Sequence, residues 1–268
     1  MVKTHSSLPA ALWDFRSVVW EMAIREFRTR YAGSVLGSAW SVLHPISLIL
    51  IFTFVFSRVM AARLPGVSGS FAYGIYLCSG LFPWTAFVET AQRSASAFLD
   101  NRSLIQKLRF PIEAPVAWIA TFSLLNGLLT LGLLVILVLA VVHKITLSFL
   151  ALPLLLALMQ VWAFGLGLAL ASLTVFFRDL SQMVVILFQF WFWLTPIVYV
   201  QGIVPPKFHA LQAMNPMFHI MQGFHRIVME GGWPKWTDVV VLLGMALFNL
   251  AFGYAVVSRL RADIPDEI

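Results

Sequence analysis

Three arginines, Arg25, Arg28 and Arg30, stand just ahead of the first long apolar run of this sequence. Guanidinium groups present planar forks of N–H donors, so such a cluster can receive phosphate or pyrophosphate oxygens by charge-assisted hydrogen bonds. Anchoring to lipid headgroups is an equally good use of the same residues. Other chemistry is sparse. No GxxxxGK[ST] occurs, so this chain has no P-loop to cradle ATP phosphates. No HExxH occurs, and His219 and His225 lie six apart, a spacing that puts them on different helical faces. No metal site and no catalytic residue are expected. Glu89 is the one acid inside an apolar stretch, and it stands four residues before Arg93, the spacing of a local helical ion pair. The later apolar runs hold essentially no ionisable group, which leaves a proton- or ion-coupled mechanism little to work with. Aromatic residues are the remaining candidates. Trp84, Phe87, Phe188, Trp191 and Tyr199 could line a conduit on which the C–H faces of sugar rings stack, or form belts at the membrane surface. Between Phe188 and Trp193 aromatic rings fill nearly the whole helical circumference, so some of them must face protein.

The elements that position these residues are helices in a bilayer. Of 268 residues, 60% are hydrophobic and 11% charged, and the mean hydropathy is +0.87. A typical soluble domain has about 25% charged residues, and no soluble fold of this size hides so much apolar side chain. The first long apolar run begins near Val35, behind charged residues, which argues against a cleavable signal peptide. A single cysteine, Cys78, excludes a disulfide framework. The net charge of +6 suits cationic anchors at headgroups better than nucleic acid. With about 20 apolar residues needed per crossing, the spans fall at Val35–Ser57, Phe71–Phe98, Pro111–Val142, Leu147–Phe177, Met183–Val200 and Asp238–Ser258. The second carries Glu89, Gln92 and Arg93 in a half that emerges from the hydrocarbon. In the fourth, Gly165, Gly167, Ala169 and Ala171 allow close helix packing. The expected fold is therefore an all-α polytopic membrane protein with about six transmembrane helices. Residues 1–34 form an N-terminal region, 35–258 the transmembrane domain and 259–268 a tail. Twelve Lys and Arg residues fall on the side of both termini and six on the other, so both termini are expected in the cytoplasm.

Three connecting segments carry further information. From Leu12 to Tyr31, Trp13, Trp20, Ile24, Phe27 and Tyr31 recur at helical spacing beside a charged stripe, which predicts an amphipathic helix lying in the membrane interface. Asn101–Pro111 is a short basic loop. Gln201–Trp236 is long and apolar for a loop, with Pro205-Pro206 and Asn215-Pro216 as breaks. It is expected to form short re-entrant external helices before the last span, their backbone groups satisfied by protein packing.

These segments together resemble the type-2 ABC exporter permeases, and most closely the branch that moves lipid-linked polysaccharides such as O-antigen, capsule and teichoic acid. The resemblance rests on Arg25-Glu26-Phe27-Arg28-Thr29-Arg30-Tyr31-Ala32-Gly33-Ser34-Val35-Leu36-Gly37 with Trp40, Leu43 and Pro45. It is extended by the loop Asn101–Pro111, by Phe176-Phe177-Arg178-Asp179-Leu180 and by Asn215-Pro216-Met217, and so covers nearly the whole chain. It implies a permease half that pairs with a second copy of itself and with two separate ATP-binding subunits in the bacterial inner membrane. ATP and Mg would be bound by those partners, and no cofactor by this chain. Leu104, Lys107, Arg109, Phe110, Arg178 and Asp179 would contact the ATPase. Arg25, Arg28 and Arg30 would stand at the entrance for a polyprenyl-pyrophosphate-linked glycan. Pro205, Asn215, Met217 and Phe218 would belong to an external gate. The alternatives are a permease of the same type for a drug or other small lipophilic cargo, and a membrane-embedded polyprenyl glycosyltransferase. The latter needs acidic residues outside, where Glu230 stands almost alone.

Overall fold

The computed structural model describes residues 13–30, 32–55, 71–107, 111–143, 145–200, 202 and 204–268, without the side chains of Ser38 and Lys107. Among the described residues every regular element is helical. In chain order these are α1 (Arg16–Arg30), α2 (Trp40–Phe54), α3 (Ala72–Asp100), α4 (Arg102–Lys107), α5 (Ala114–Val142), α6 (Ala151–Phe176), α7 (Leu180–Leu194), α8 (His209–Met214), α9 (Pro216–His225), α10 (Trp236–Leu260) and α11 (Ile264–Glu267).

Among the described residues three helices combine the length and apolarity to cross a membrane: α5, α6 with its leading turn (Leu147–Phe176), and α10. The 29 residues of α3 give it the reach as well, about 43 Å at the α-helical rise. The apolar helices α2 and α7 have 15 residues each. For α2 the distal part of the expected span, from residue 56 onward, lies outside the described residues. For α7 the end has a local cause: Pro196 forbids the α conformation at Thr195, whose ψ of 131° is extended. The helices correspond one for one to the six expected spans.

Small residues set how closely the spans approach. A Cβ added at Gly253 of α10 would collide with the carbonyl of Gly165 in α6, and one at Gly165 with the backbone of Asn249 and Leu250. On the far side of α6, a Cβ at Gly167 would lie 2.7 Å from the Ser94 side chain of α3. The fourth span is thus wedged between the second and the sixth through its glycines, as backbone approach replaces hydrophobic driving force in lipid. Thr90 donates to Gln160 Oε1 at 2.6 Å across the same α3–α6 contact.

These contacts also orient the bundle. Thr90 pairs with Gln160, Ser94 with Gly167 and Gly165 with Gly253, so α3, α6 and α10 run in parallel. Their C-terminal ends lie at one end of the molecule with α1, α4 and α11. We call this the basic end.

The interface helix α1 departs from the expected single apolar face. Ala23 is buried, and Val19, Met22 and Phe27 pack into the apolar cluster at the basic end, whereas Trp13 and Trp20 are exposed. The side that meets protein is a narrow stripe, and the tryptophans are left free for the headgroup level, where their amphipathic rings are stable. Tyr31 lies outside the described residues.

Candidate functional site

The basic end is organised by a chain of four charges. Arg30, in the last turn of α1, pairs with Glu89 of α3. Arg93 Nη1 stands 3.5 Å from the same Glu89 oxygen, the i,i+4 pair expected from the sequence, and its Nη2 is 2.6 Å from Glu26 Oε1 of α1. Both guanidinium groups lie over the ring of Phe122 in α5, with Cζ 4.5 Å (Arg30) and 5.4 Å (Arg93) from its centre. Phe122 is fully buried and packs on Phe27, ring centres 4.5 Å apart, so the floor beneath the two cations is fixed. The side chains in this ladder are between 16% and 32% exposed.

Two cavities flank the ladder. One, of about 500 Å³, is lined by Arg25, Glu26, Arg93, Ser96, Asp100 and Asn101, and opens between α1, α3 and the start of α4. The other, of about 240 Å³, lies between α2, α3 and α5 and is lined by Arg30, His44, Thr85, Glu89, Asn126 and Thr130 among others. The structure therefore places Arg25 and Arg30 at adjoining cavities, whereas Arg28 is exposed and lines neither.

Trp84, Phe87, Phe188 and Trp191 are brought together, and Trp162 of α6 joins them. Trp84 meets Trp191 edge-on at 5.8 Å, Phe87 lies 4.8 Å from Trp162, and Phe188 stacks on Trp191 at 5.8 Å. Three of these are interior residues, with Phe87 0% exposed, Trp84 5% and Phe188 6%, while Trp191 is half-buried. Such edge-to-face nests add directional attraction to their burial. The opposite face of α7 is uncovered, with Phe190 at 68% and Trp193 at 65% exposure. Tyr199 lies at a cavity of about 530 Å³ that Trp191 of the nest also lines, with Trp193, Phe208, Leu211, Met214 and Asn215.

At the opposite end Asn215 joins the nest to the short helices α8 and α9. Its side chain caps α9 by accepting from the Met217 N–H at 3.0 Å and accepts from Trp191 Nε1 at 2.9 Å. Its amide donates to Thr195 Oγ1 at 3.0 Å. Met217 and Phe218 are buried, as are Ile220, Met221 and Phe224, while Pro205 is exposed. The α9 helix thus packs into the core without crossing it. A left-handed Gly231 (φ 66°) ends the following turn, where Thr146 and Ser148 donate to its carbonyl at 2.9 and 3.0 Å.

Of the expected ATPase contacts, Leu104 lies half-buried on α4, and Arg178 and Asp179 are exposed in the turn joining α6 to α7. Arg109 and Phe110 lie outside the described residues. Glu113, Gln106 and Arg261 were not singled out from the sequence, yet they tie this end together. Fully buried Glu113 pairs with Arg261 beyond α10, and Gln106 Nε2 donates to the Ile268 carbonyl at 2.8 Å. Buried Ile264 completes the clasp of α11 on the α4 side. No spacing rule relates residues 148 or 162 positions apart.

The described residues form an all-α bundle with membrane-spanning helices and an exposed α6–α7 turn at its basic end. The family model of the ABC-2 type transporter matches residues 17–229, and the chain belongs to that family. It is 27% identical over 259 residues to the O-antigen export system permease protein RfbA of Myxococcus xanthus, covering 96% of this chain and 97% of that one. With the protein of the same name from Klebsiella pneumoniae it shares 29% identity over 234 residues, 84% and 88% of the two chains. The polysialic acid transport protein KpsM of Escherichia coli is 26% identical over 237 residues, 87% and 89% of the two. As a membrane subunit of this family lacking its own nucleotide-binding motif, the chain depends on an ABC ATPase for its energy.

Proposed function

We propose that this chain is the membrane-spanning subunit of an ABC exporter that carries a lipid-linked polysaccharide, O-antigen or a similar glycan, across the bacterial inner membrane. The observation that carries this reading is similarity along nearly the whole chain to permeases named for O-antigen export. In this reading two copies form the conduit, two ATP-binding subunits dock at the basic end, and both termini are cytoplasmic. Leu104, Lys107, Arg109, Phe110, Arg178 and Asp179 form the docking surface, and ATP and Mg bind in the partner alone.

The physical difficulty of the task is a lipid whose head is strongly charged and whose glycan is polar, so neither enters hydrocarbon. Arg25, Arg28 and Arg30 supply the cationic entrance for the pyrophosphate. The nest of Trp84, Phe87, Phe188 and Trp191 serves as the rigid wall of the path, and Tyr199 with the exposed aromatics of α7 supplies sugar-stacking faces. Pro205, Asn215, Met217 and Phe218 hold the external cover. The uncovered apolar faces of α2 and α7, including Leu50, Phe54, Phe190 and Trp193, are the surfaces a second copy would meet.

Deleting the gene in its own host and restoring it with or without the neighbouring ATPase tests the reading. Surface glycan should vanish on deletion and return only when both subunits are present. Normal surface glycan in the deletion strain, together with a lost resistance to a lipophilic compound, would favour the small-cargo alternative.

A further inference from the structure

The four-charge ladder lies between two cavities. Glu26 and Arg93 line the 500 Å³ cavity at the basic end, and Arg30 and Glu89 line the 240 Å³ cavity between the first two spans. The ladder's ion pairs run from one set to the other, above the Phe122 ring. The second cavity reaches well back along α3: Glu89 is 11 residues before its end, about 16 Å at the helical rise. Ionisable groups that line a cavity between spans mark a path or a site. Thr85 and Thr130 already donate their hydroxyl hydrogens to their own helices, to Phe82 and Gly127 at 2.9 Å each, which leaves oxygen lone pairs facing the cavity.

The arrangement of the two arginines is equally specific. Holding two guanidinium groups over one phenyl ring demands nearby anions, and here Glu89 and Glu26 supply them. A diphosphate supplies more negative charge and more acceptor oxygens than two carboxylates, in a form that matches paired arginine forks. The carboxylates are only partly buried, so their pairs are weak enough to exchange.

We infer that the Glu26–Arg93–Glu89–Arg30 ladder is an electrostatic gate, opened when the diphosphate of a lipid headgroup displaces the two carboxylates and takes Arg30 and Arg93 together. The inference rests on the pyrophosphate-lipid reading above and adds to it the residues that admit the head. Before the lipid arrives, the ladder ties α1 to α3 and keeps the cavity between the spans closed toward the basic end. Exchange frees Glu26 and Glu89, releases α1 from α3, and joins the two cavities into one polar path for the head. Asn126 and His44 then stand ready to hydrogen-bond the sugar nearest the phosphate.

The test uses the complete permease–ATPase complex in lipid nanodiscs, with farnesyl diphosphate as the probe. The wild-type complex should bind it, and Arg30→Gln or Arg93→Gln should each weaken binding by about tenfold, the loss of one charge-assisted contact. Glu89→Gln should tighten binding, since it removes a competitor. Weaker or unchanged binding by Glu89→Gln would overturn the gate, because a carboxylate that merely positions Arg30 would be missed. A second measurement needs no variant: hydrogen exchange of the Arg25–Arg30 backbone amides should quicken when the probe binds wild-type protein, and an unchanged rate would overturn the gate. Inorganic pyrophosphate binding as tightly as farnesyl diphosphate would overturn the lipid headgroup as its ligand. Failure of the wild type to bind farnesyl diphosphate would overturn the pyrophosphate-lipid reading itself, whereas binding that ignores all these substitutions would overturn only the gate.

Discussion

At the basic end, ion pairs between charged side chains join the helices; at the opposite end, one half-buried neutral amide joins them beside an apolar nest. The ladder of Glu26, Arg93, Glu89 and Arg30 joins α1 to α3 through ion pairs between side chains 16% to 32% exposed. Asn215 joins α7 to α9 through hydrogen bonds to Met217, Trp191 and Thr195. Partly exposed ion pairs contribute little stability and exchange partners readily. A neutral amide that caps a helix and also accepts an indole N–H is costlier to remove, because that N–H loses its acceptor. The two ends are therefore held by different chemistry, exchangeable charge pairs at one and neutral hydrogen bonds at the other.

The largest effect expected is in the nest. Phe87→Ala should lower the stability of the purified protein by about 3–5 kcal/mol, through the cavity left among Trp84, Trp162 and Trp191, measured as a downward shift of Tm in detergent. Asn215→Ala comes next. It removes a helix cap, worth about 1 kcal/mol, and leaves the Trp191 N–H without its acceptor at about 1–3 kcal/mol more. Arg30→Gln should change Tm by no more than about 1 kcal/mol equivalent, yet lower surface glycan in a complementation assay. An Arg30→Gln protein that melts like Asn215→Ala would erase the contrast between the two ends. The smallest effect belongs to ionic strength. Raising salt should loosen α1 from α3, seen as faster amide exchange in residues 16–30, and should leave α9 unchanged, since screening acts on exposed charges and not on a neutral amide.

The six apolar helices were legible because crossing a bilayer demands a length and a composition that no other role demands. Gly165 and Gly167 were legible as packing residues, but their partners Gly253 and Ser94 were not, because a crossing point belongs to two helices at once. Glu89 and Arg93 were readable as a pair from their spacing. That Arg30 shares Glu89 was not, since 59 residues separate them and only the folded bundle sets their distance. The crowding of rings at Phe188–Trp193 correctly required an inward and an outward set. It did not reveal that Phe188 and Trp191 turn inward while Phe190 and Trp193 turn outward. Asn215 was visible as a break before Pro216, but its bonds to Trp191 and Thr195 depend on how α9 returns to the core. The clasp of Arg261 on Glu113 joins residues 148 positions apart and left no local trace.

The most direct measurement is transport by the purified complex in sealed vesicles loaded with polyprenyl-diphosphate-linked glycan in the outer leaflet. With this chain and its ATPase assembled so that the nucleotide sites face outward, added ATP should carry the glycan to the inner leaflet, where an external glycosidase can no longer reach it. Omitting either subunit should leave the glycan fully digestible. Equal protection without ATP, or none with it while a lipophilic dye is moved, would contradict the account.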